Sequence, residues 1–160
     1  MKFIRMFTIV LARFFIGLIF LTAVISKILN WHDTEKSLMN QLCEWQTYLG
    51  FSEAAQNCLA MVAPWTPLLL ITATLFEIIG GLLVILGVKE KLGAALLILF
   101  LIPVTLIMHP FWFEQGPMQE MQTIMFLKNL AILGGLLLIL VFGAQAKVGG
   151  GDPFQTIKLG

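Results

Sequence analysis

The sequence predicts an all-α membrane protein: an antiparallel four-helix transmembrane bundle with short surface helices in the first outer loop. Three observations carry this expectation. Hydrophobic residues make up 59% of the 160 positions and charged residues 12%, against roughly 45–50% and about 25% in a soluble domain. Mean hydropathy is +0.93. The apolar residues gather into four stretches, at about 6–28, 68–88, 92–109 and 124–143, each near the roughly 20 residues that a helix needs to cross a ~30 Å hydrocarbon core. The net charge of +1, with no basic run, Gly-rich phosphate loop or metal-type Cys/His cluster, gives no footing to nucleic-acid, nucleotide or metal chemistry.

The first stretch follows Lys2 and Arg5, as a signal peptide would. It is longer than the usual ~7–15-residue signal core and lacks a small-x-small cleavage site, so it reads as a retained helix. Basic residues set the orientation. With the N-terminus cytoplasmic, the cytoplasmic segments hold Lys2, Arg5, Lys89, Lys91, Lys147 and Lys158, and the opposite loops hold Lys36. Both termini are therefore expected inside, with 144–160 as a cytoplasmic tail and Trp31, Trp45, Trp65 and Trp112 at the outer boundary. The "VKEK" turn between the second and third stretches is tight and dictates a hairpin.

The outer loop, 30–66, is long enough to carry structure of its own and reads as a cap. Leu38, Leu42, Trp45 and Leu49 recur at helical spacing, and Ser52 is a good N-cap for a second short helix. Both are expected to lie flat on the membrane, apolar face down. Cys43 and Cys58, the only cysteines, both fall in this loop. An oxidising compartment would permit a disulfide between them, worth about 3 kcal/mol in the chain-entropy model. Two unpaired thiols, or a redox-active pair, are the alternatives.

Ionisable groups inside a bilayer are costly and read as functional by default. Here they are Arg13, Lys27, Glu77 and Lys128, with His109 near a helix end and Asn129 beside Lys128. Arg13, Gly17, Phe20, Val24 and Lys27 form one helical stripe. Thr74, Glu77, Gly81 and Val84 form a second, Ile98, Ile102, Thr105 and His109 a third, and Lys128, Ala131, Gly135 and Leu138 a fourth. The simplest bundle turns all four inward. Depth counted at about 1.5 Å per residue favours Arg13–Glu77 as a structural ion pair. Glu77, Lys128, His109, Lys27 and Asn129 would then line a polar pocket open to the outer side. Its three potential cations suit a quinone head group, a sulfur oxyanion or a lipid phosphate. The plainer reading of Lys27 is that it snorkels to the interface. Gly80, Gly81, Gly87, Gly134 and Gly135 allow close helix approach, and Pro103 should kink the third helix and free a carbonyl near the bundle axis.

With these residues in hand, the chain resembles the DoxX family of small four-helix membrane proteins. The resemblance rests on "RFFIGLIFLTAVISK", "FEIIGGLLVILGVKEKLGA", "MHPFW" and "FLKNLAILGGLLLIL", in that order and spacing. It implies a four-helix bundle in the bacterial inner membrane. It also implies that Arg13, Lys27, Glu77, His109, Lys128 and Asn129 match the family's polar pattern, of which the two cysteines are not a part. The family takes its name from a thiosulfate:quinone oxidoreductase subunit. Other relatives resemble partners in redox homeostasis, and distant ones act as assembly chaperones or cargo receptors.

Three functions compete on this basis. The first is a redox-associated accessory subunit binding a quinone or sulfur species in its outer-facing pocket, with a protein partner in a membrane redox complex supplying the electron chemistry. The second is a non-catalytic scaffold or assembly factor engaging a partner protein. The third is a small transporter or lipid-binding protein.

Overall fold

The computed structural model describes residues 2–143, with Lys2 and Arg5 described by their backbone alone. The expected tail, 144–160, with Lys147 and Lys158, lies outside the described residues. The chain forms α1 (Lys2–Leu29), α2 (Trp31–Tyr48), α3 (Glu53–Val62), a 3-10 turn (Ala63–Trp65), α4 (Thr66–Leu86), α5 (Glu90–Met108) and α6 (Gly116–Phe142), and no strand is found among the described residues. Among the described residues, four helical stretches are long and apolar enough to cross a membrane: Met6–Leu29, Glu53–Leu86, Glu90–Met108 and Gly116–Phe142. The molecule is an all-α membrane bundle. Its last helix starts well before the apolar stretch at 124, because Pro117 in the first turn is pre-set for a helix.

The four long helices alternate in direction. α4 packs between α1 and α5, and α6 lies against α5. We call the end covered by α2 the cap end and the end at Gly87–Lys89 the turn end. Phe20, Val84, Ala94, Leu97, Phe100, Leu101 and Leu136 make the buried core.

Helices in lipid gain nothing from excluding lipid-like side chains, so close backbone packing takes over. α4 achieves this on both flanks. A Cβ on Gly17 would lie 3.0 Å from the Gly81 carbonyl oxygen, which brings α1 onto α4. A Cβ on Gly93 would lie 2.9 Å from the Gly80 carbonyl oxygen, which brings α5 onto α4. Adjacent residues Gly80 and Gly81 thus serve opposite neighbours. Polar side chains in these walls are satisfied locally. The buried hydroxyls of Thr74 and Thr105 donate to the carbonyls of Leu70 and Leu101 at 2.7 and 2.6 Å.

The α4–α5 turn is a Schellman motif. Val88 N–H donates to Leu83 O at 3.2 Å and Gly87 N–H to Val84 O at 3.3 Å, with Gly87 left-handed at φ 65°. Lys89 follows at φ 48° and opens α5. Pro103 lies on the exposed side of α5, and the helix continues through it to Met108. The carbonyl expected near the bundle axis is therefore not freed there.

The cap differs from the expectation in one respect. α2 does not press its apolar face on the membrane: Leu42 is buried and half-buried Leu38 and Trp45 point the same way, with Trp45 Nε1 donating to Ile107 O of α5 at 2.9 Å. An amphipathic helix buries its stripe wherever apolar surface is offered, and the open end of the bundle offers it. α3 is capped as expected, Ser52 Oγ accepting from Ala55 N–H at 3.4 Å. It buries no residue; exposed Phe51 precedes it, and exposed Met61 in α3 and Trp65 in the 3-10 turn continue at helical spacing into Leu68, Leu75, Ile79, Leu82 and Leu86 of α4.

The glycine contacts yield a contrast that can be measured. Gly93→Ala would drive its Cβ against Leu83 Cβ at 2.8 Å and Gly80 O at 2.9 Å, with an expected cost of about 1–3 kcal/mol. Gly134→Ala meets nothing within 4 Å and should leave stability unchanged or raise it by about 0.5–1 kcal/mol. Thermal unfolding of the two purified variants in one detergent checks both signs.

Candidate functional site

A membrane-spanning carboxylate needs a cation, and α1 supplies two along one stripe. Gly17, Phe20 and Val24 of that stripe are buried, and Arg13 and Lys27 at its ends are half-buried. Glu77 on α4 is only 1% exposed. Its carboxylate does not meet Arg13 as expected; it takes the ammonium of Lys27, whose Nζ donates to Glu77 Oε2. Lys27 therefore turns inward rather than snorkelling. Its Nζ also stands 4.6 Å from the centre of the Phe100 ring on α5, a cation–π distance. Phe100 is held edge-on by Phe20 at 6.2 Å.

Arg13 pairs instead with Glu90, at the start of α5. Nη2 lies 3.3 Å from Glu90 Oε1 and donates to Gly143 O beyond α6 at 2.9 Å. Glu90 is 3% exposed. Beside it Lys91 Nζ donates to Val141 O at 3.0 Å. α1, α5 and the end of α6 are thus tied at the turn end. The expected pair fails for a reason of depth: Glu77 is closer to the cap end than Arg13 is, and Glu90, read as a turn residue, is folded under the C-terminus of α6.

At the cap end a cavity of about 330 Å³ opens over Lys27. Leu70 and Ala73 of α4 and Phe100, Val104 and Met108 of α5 form its apolar walls, and Asp33, Thr34, Ser37 and Leu38 of α2 close it. Glu77 stands behind Lys27 and is not in the wall. A cavity this size, at the small end for ligand sites, takes one ring-sized head group.

Of the other expected pocket residues, none lines this cavity. His109 Nδ1 donates to Gln122 Oε1 of α6 at 2.8 Å. Lys128 is exposed on the far face of α6 and donates to Met125 Sδ at 3.2 Å. Asn129, one residue on, shares the inward face of Leu136 and Gly143, and makes no hydrogen bond among the described residues. α6 is apolar nearly all round, so a single lysine misled the choice of face by about 100°. Asp33, Thr34 and Ser37 were missed, although Thr34 lies one helical turn before Leu38 on the Leu38–Leu42–Trp45 stripe and Asp33 and Ser37 flank that stripe. Cys43 and Cys58 are unbonded and exposed.

The cap is anchored by aromatic rings. Tyr48 stacks on Phe113 at 4.4 Å, Trp45 meets Phe113 and Trp112 edge-on at 5.3 and 6.2 Å, and Phe126 of α6 meets Phe111 at 5.1 Å. Tyr48 O–H donates to Glu114 Oε1 at 3.3 Å. Burial and then the Glu114 carboxylate push the Tyr48 phenol above its ordinary value.

Compared with family models, the chain matches DoxX over residues 8–110, which takes in most of α1, all of α2 to α5 and every residue of the cavity wall. Among curated proteins it is 30% identical over 98 residues to Inner membrane protein YphA of Escherichia coli (strain K12), the match covering 61% of this chain and 70% of that protein. No solved structure is matched.

Glu90→Ala leaves the Arg13 guanidinium without its counter-ion and should cost about 3–5 kcal/mol, most of which Arg13→Leu in the same chain should restore. Detergent unfolding of single and double variants measures it; additive losses would show that the two residues act separately. The second expectation concerns Tyr48, the only tyrosine of the chain. Its folded phenol titrates above the unfolded one, so the stability it contributes is present below about pH 10 and is lost as pH rises through the raised value. Tyrosinate absorbance should appear later in the native protein than in Glu114→Gln unfolded in denaturant, with folded Glu114→Gln in between.

Proposed function

The chain belongs to the DoxX family of integral membrane proteins, and we propose that it is a binding subunit that holds the polar head of a membrane-soluble ligand in its cap-end cavity. The observation that carries this reading is the placement of Lys27: an ammonium kept between the apolar walls of the cavity by Glu77 and Phe100. The ammonium has three N–H donors and Glu77 takes one, so a ligand oxygen can be received without undoing the pair. A quinone head group, a sulfur oxyanion and a lipid head group all offer such an oxygen. As a redox-associated accessory subunit, the protein would present this ligand to a partner, the electron chemistry being the partner's.

The reading puts the protein in a bacterial inner membrane, in keeping with the name of its Escherichia coli relative. The distribution of Lys and Arg supports both termini being cytoplasmic, which would open the cavity toward the outer side, with 30–66 as its cap. The alternative, a scaffold engaging a partner protein, is favoured by one observation, the exposed apolar stripe of Phe51, Met61 and Trp65.

The test is ligand binding by the full chain in nanodiscs, using a short-chain benzoquinone and following tryptophan quenching. Lys27→Met alone strands Glu77, so the variant of choice is Lys27→Met/Glu77→Met, which removes both charges together. It should stay folded and lose about tenfold or more in affinity, one charged hydrogen bond's worth. Wild-type protein that binds no quinone, lipid or sulfur species, yet is recovered from native membranes with a stoichiometric partner, would establish the scaffold reading instead.

A further inference from the structure

The charges around the cavity decide which head groups it admits, an inference that rests on the binding reading above. Lys27 is the one cation in the described wall, and two carboxylates answer it: Glu77 behind it and Asp33 in the wall of α2. Lys27, Glu77 and Asp33 together carry one net negative formal charge. Lys128, whose charge would cancel that excess, and His109 are not in the wall; His109 is held by Gln122 and Lys128 is exposed on the far face of α6. An anion entering here meets a negative surround. Its attraction to Lys27 is also offset, because the Glu77 carboxylate already answers that ammonium.

A neutral oxygen faces neither obstacle. It accepts from a spare N–H of Lys27 while the ion pair stays whole. At the other wall, Asp33 has no ion pair or hydrogen bond among the described residues, and an ionised carboxylate can only accept. The apolar side chains between, Phe100 above all, suit the flat face of a ring.

We infer that the cavity selects an uncharged ring-bearing head group that accepts a hydrogen bond from Lys27 and donates one to Asp33, and that it turns anions away. Asp33 is the specificity-determining residue. A hydroquinone has both functions; the corresponding quinone has only the acceptor. The site thereby prefers the reduced form of such a pair.

The full chain in nanodiscs is titrated with a short-chain hydroquinone, the matching quinone, thiosulfate and inorganic phosphate. Hydroquinone should bind about tenfold tighter than quinone, the size of one hydrogen bond to a charged acceptor. For a two-electron couple that preference raises the midpoint potential of the bound pair by about 30 mV. Asp33→Asn, at an exposed position, should abolish the preference, because the neutral amide is a weaker acceptor for hydroquinone and its N–H groups can serve a quinone oxygen. Thiosulfate and phosphate should neither bind nor displace hydroquinone, and Asp33→Lys should admit them. Displacement by either anion at concentrations comparable to hydroquinone overturns the inference, and so does a preference that survives Asp33→Asn; quinone binding that still depends on Lys27 would in both cases leave the pocket reading standing. If no compound of either charge class binds, both readings fall together.

Discussion

Two carboxylates with almost no access to water govern this structure. Glu77 and Glu90 sit on helices that a bilayer surrounds, and each must be met by a cation. Both cations come from α1: Lys27 answers Glu77 and Arg13 answers Glu90. The two lie fourteen positions apart on one stripe, about 21 Å along the helix axis. Engaging both fixes the height and rotation of α1 against α4 and α5. The glycine contacts then define how near the helices come, since Gly17 and Gly81 meet only where that rotation brings them together.

The two ends of the molecule use this arrangement differently. At the turn end the guanidinium is consumed by Glu90 and the Gly143 carbonyl, and the chain closes tightly around it. At the cap end the ammonium keeps donors to spare, because α2 arches over a space instead of filling it. The aromatic packing of Trp45, Tyr48 and Phe113 holds the far half of α2, so the near half is suspended between that anchor and the end of α1. Rigid support on either side of a small void is what a binding site requires.

Much of the bundle was legible in the sequence because hydrocarbon imposes length and composition directly. The stripe of Arg13, Gly17, Phe20, Val24 and Lys27 was visible because α1 alternates polar or small residues with bulky ones. The pairing across helices was not. It depends on where each helix begins relative to its neighbour, and a four-residue turn gave no sign that Glu90 would be covered by the end of α6. The face of α6 was equally hidden: in a helix almost uniformly apolar, the inward side is chosen by shape against Ile16 and its neighbours rather than by polarity. Lys128, the residue that looked most informative, can lie on the outside because its long chain reaches toward the cap end.

The order of the charges along the chain bears on how the protein is made. α1, with Arg13 and Lys27, leaves the ribosome before either carboxylate exists. A cation at the centre of an isolated helix costs about 2.5–3.5 kcal/mol to insert; Arg13 and Lys27 lie away from the centre of Met6–Leu29 and cost less, and its strong hydropathy offsets them. During synthesis α1 is therefore a helix with two unanswered charges, held at the membrane by its apolar residues alone. α4 relieves the first and α5 the second, so assembly proceeds from the cap end toward the turn end as translation advances.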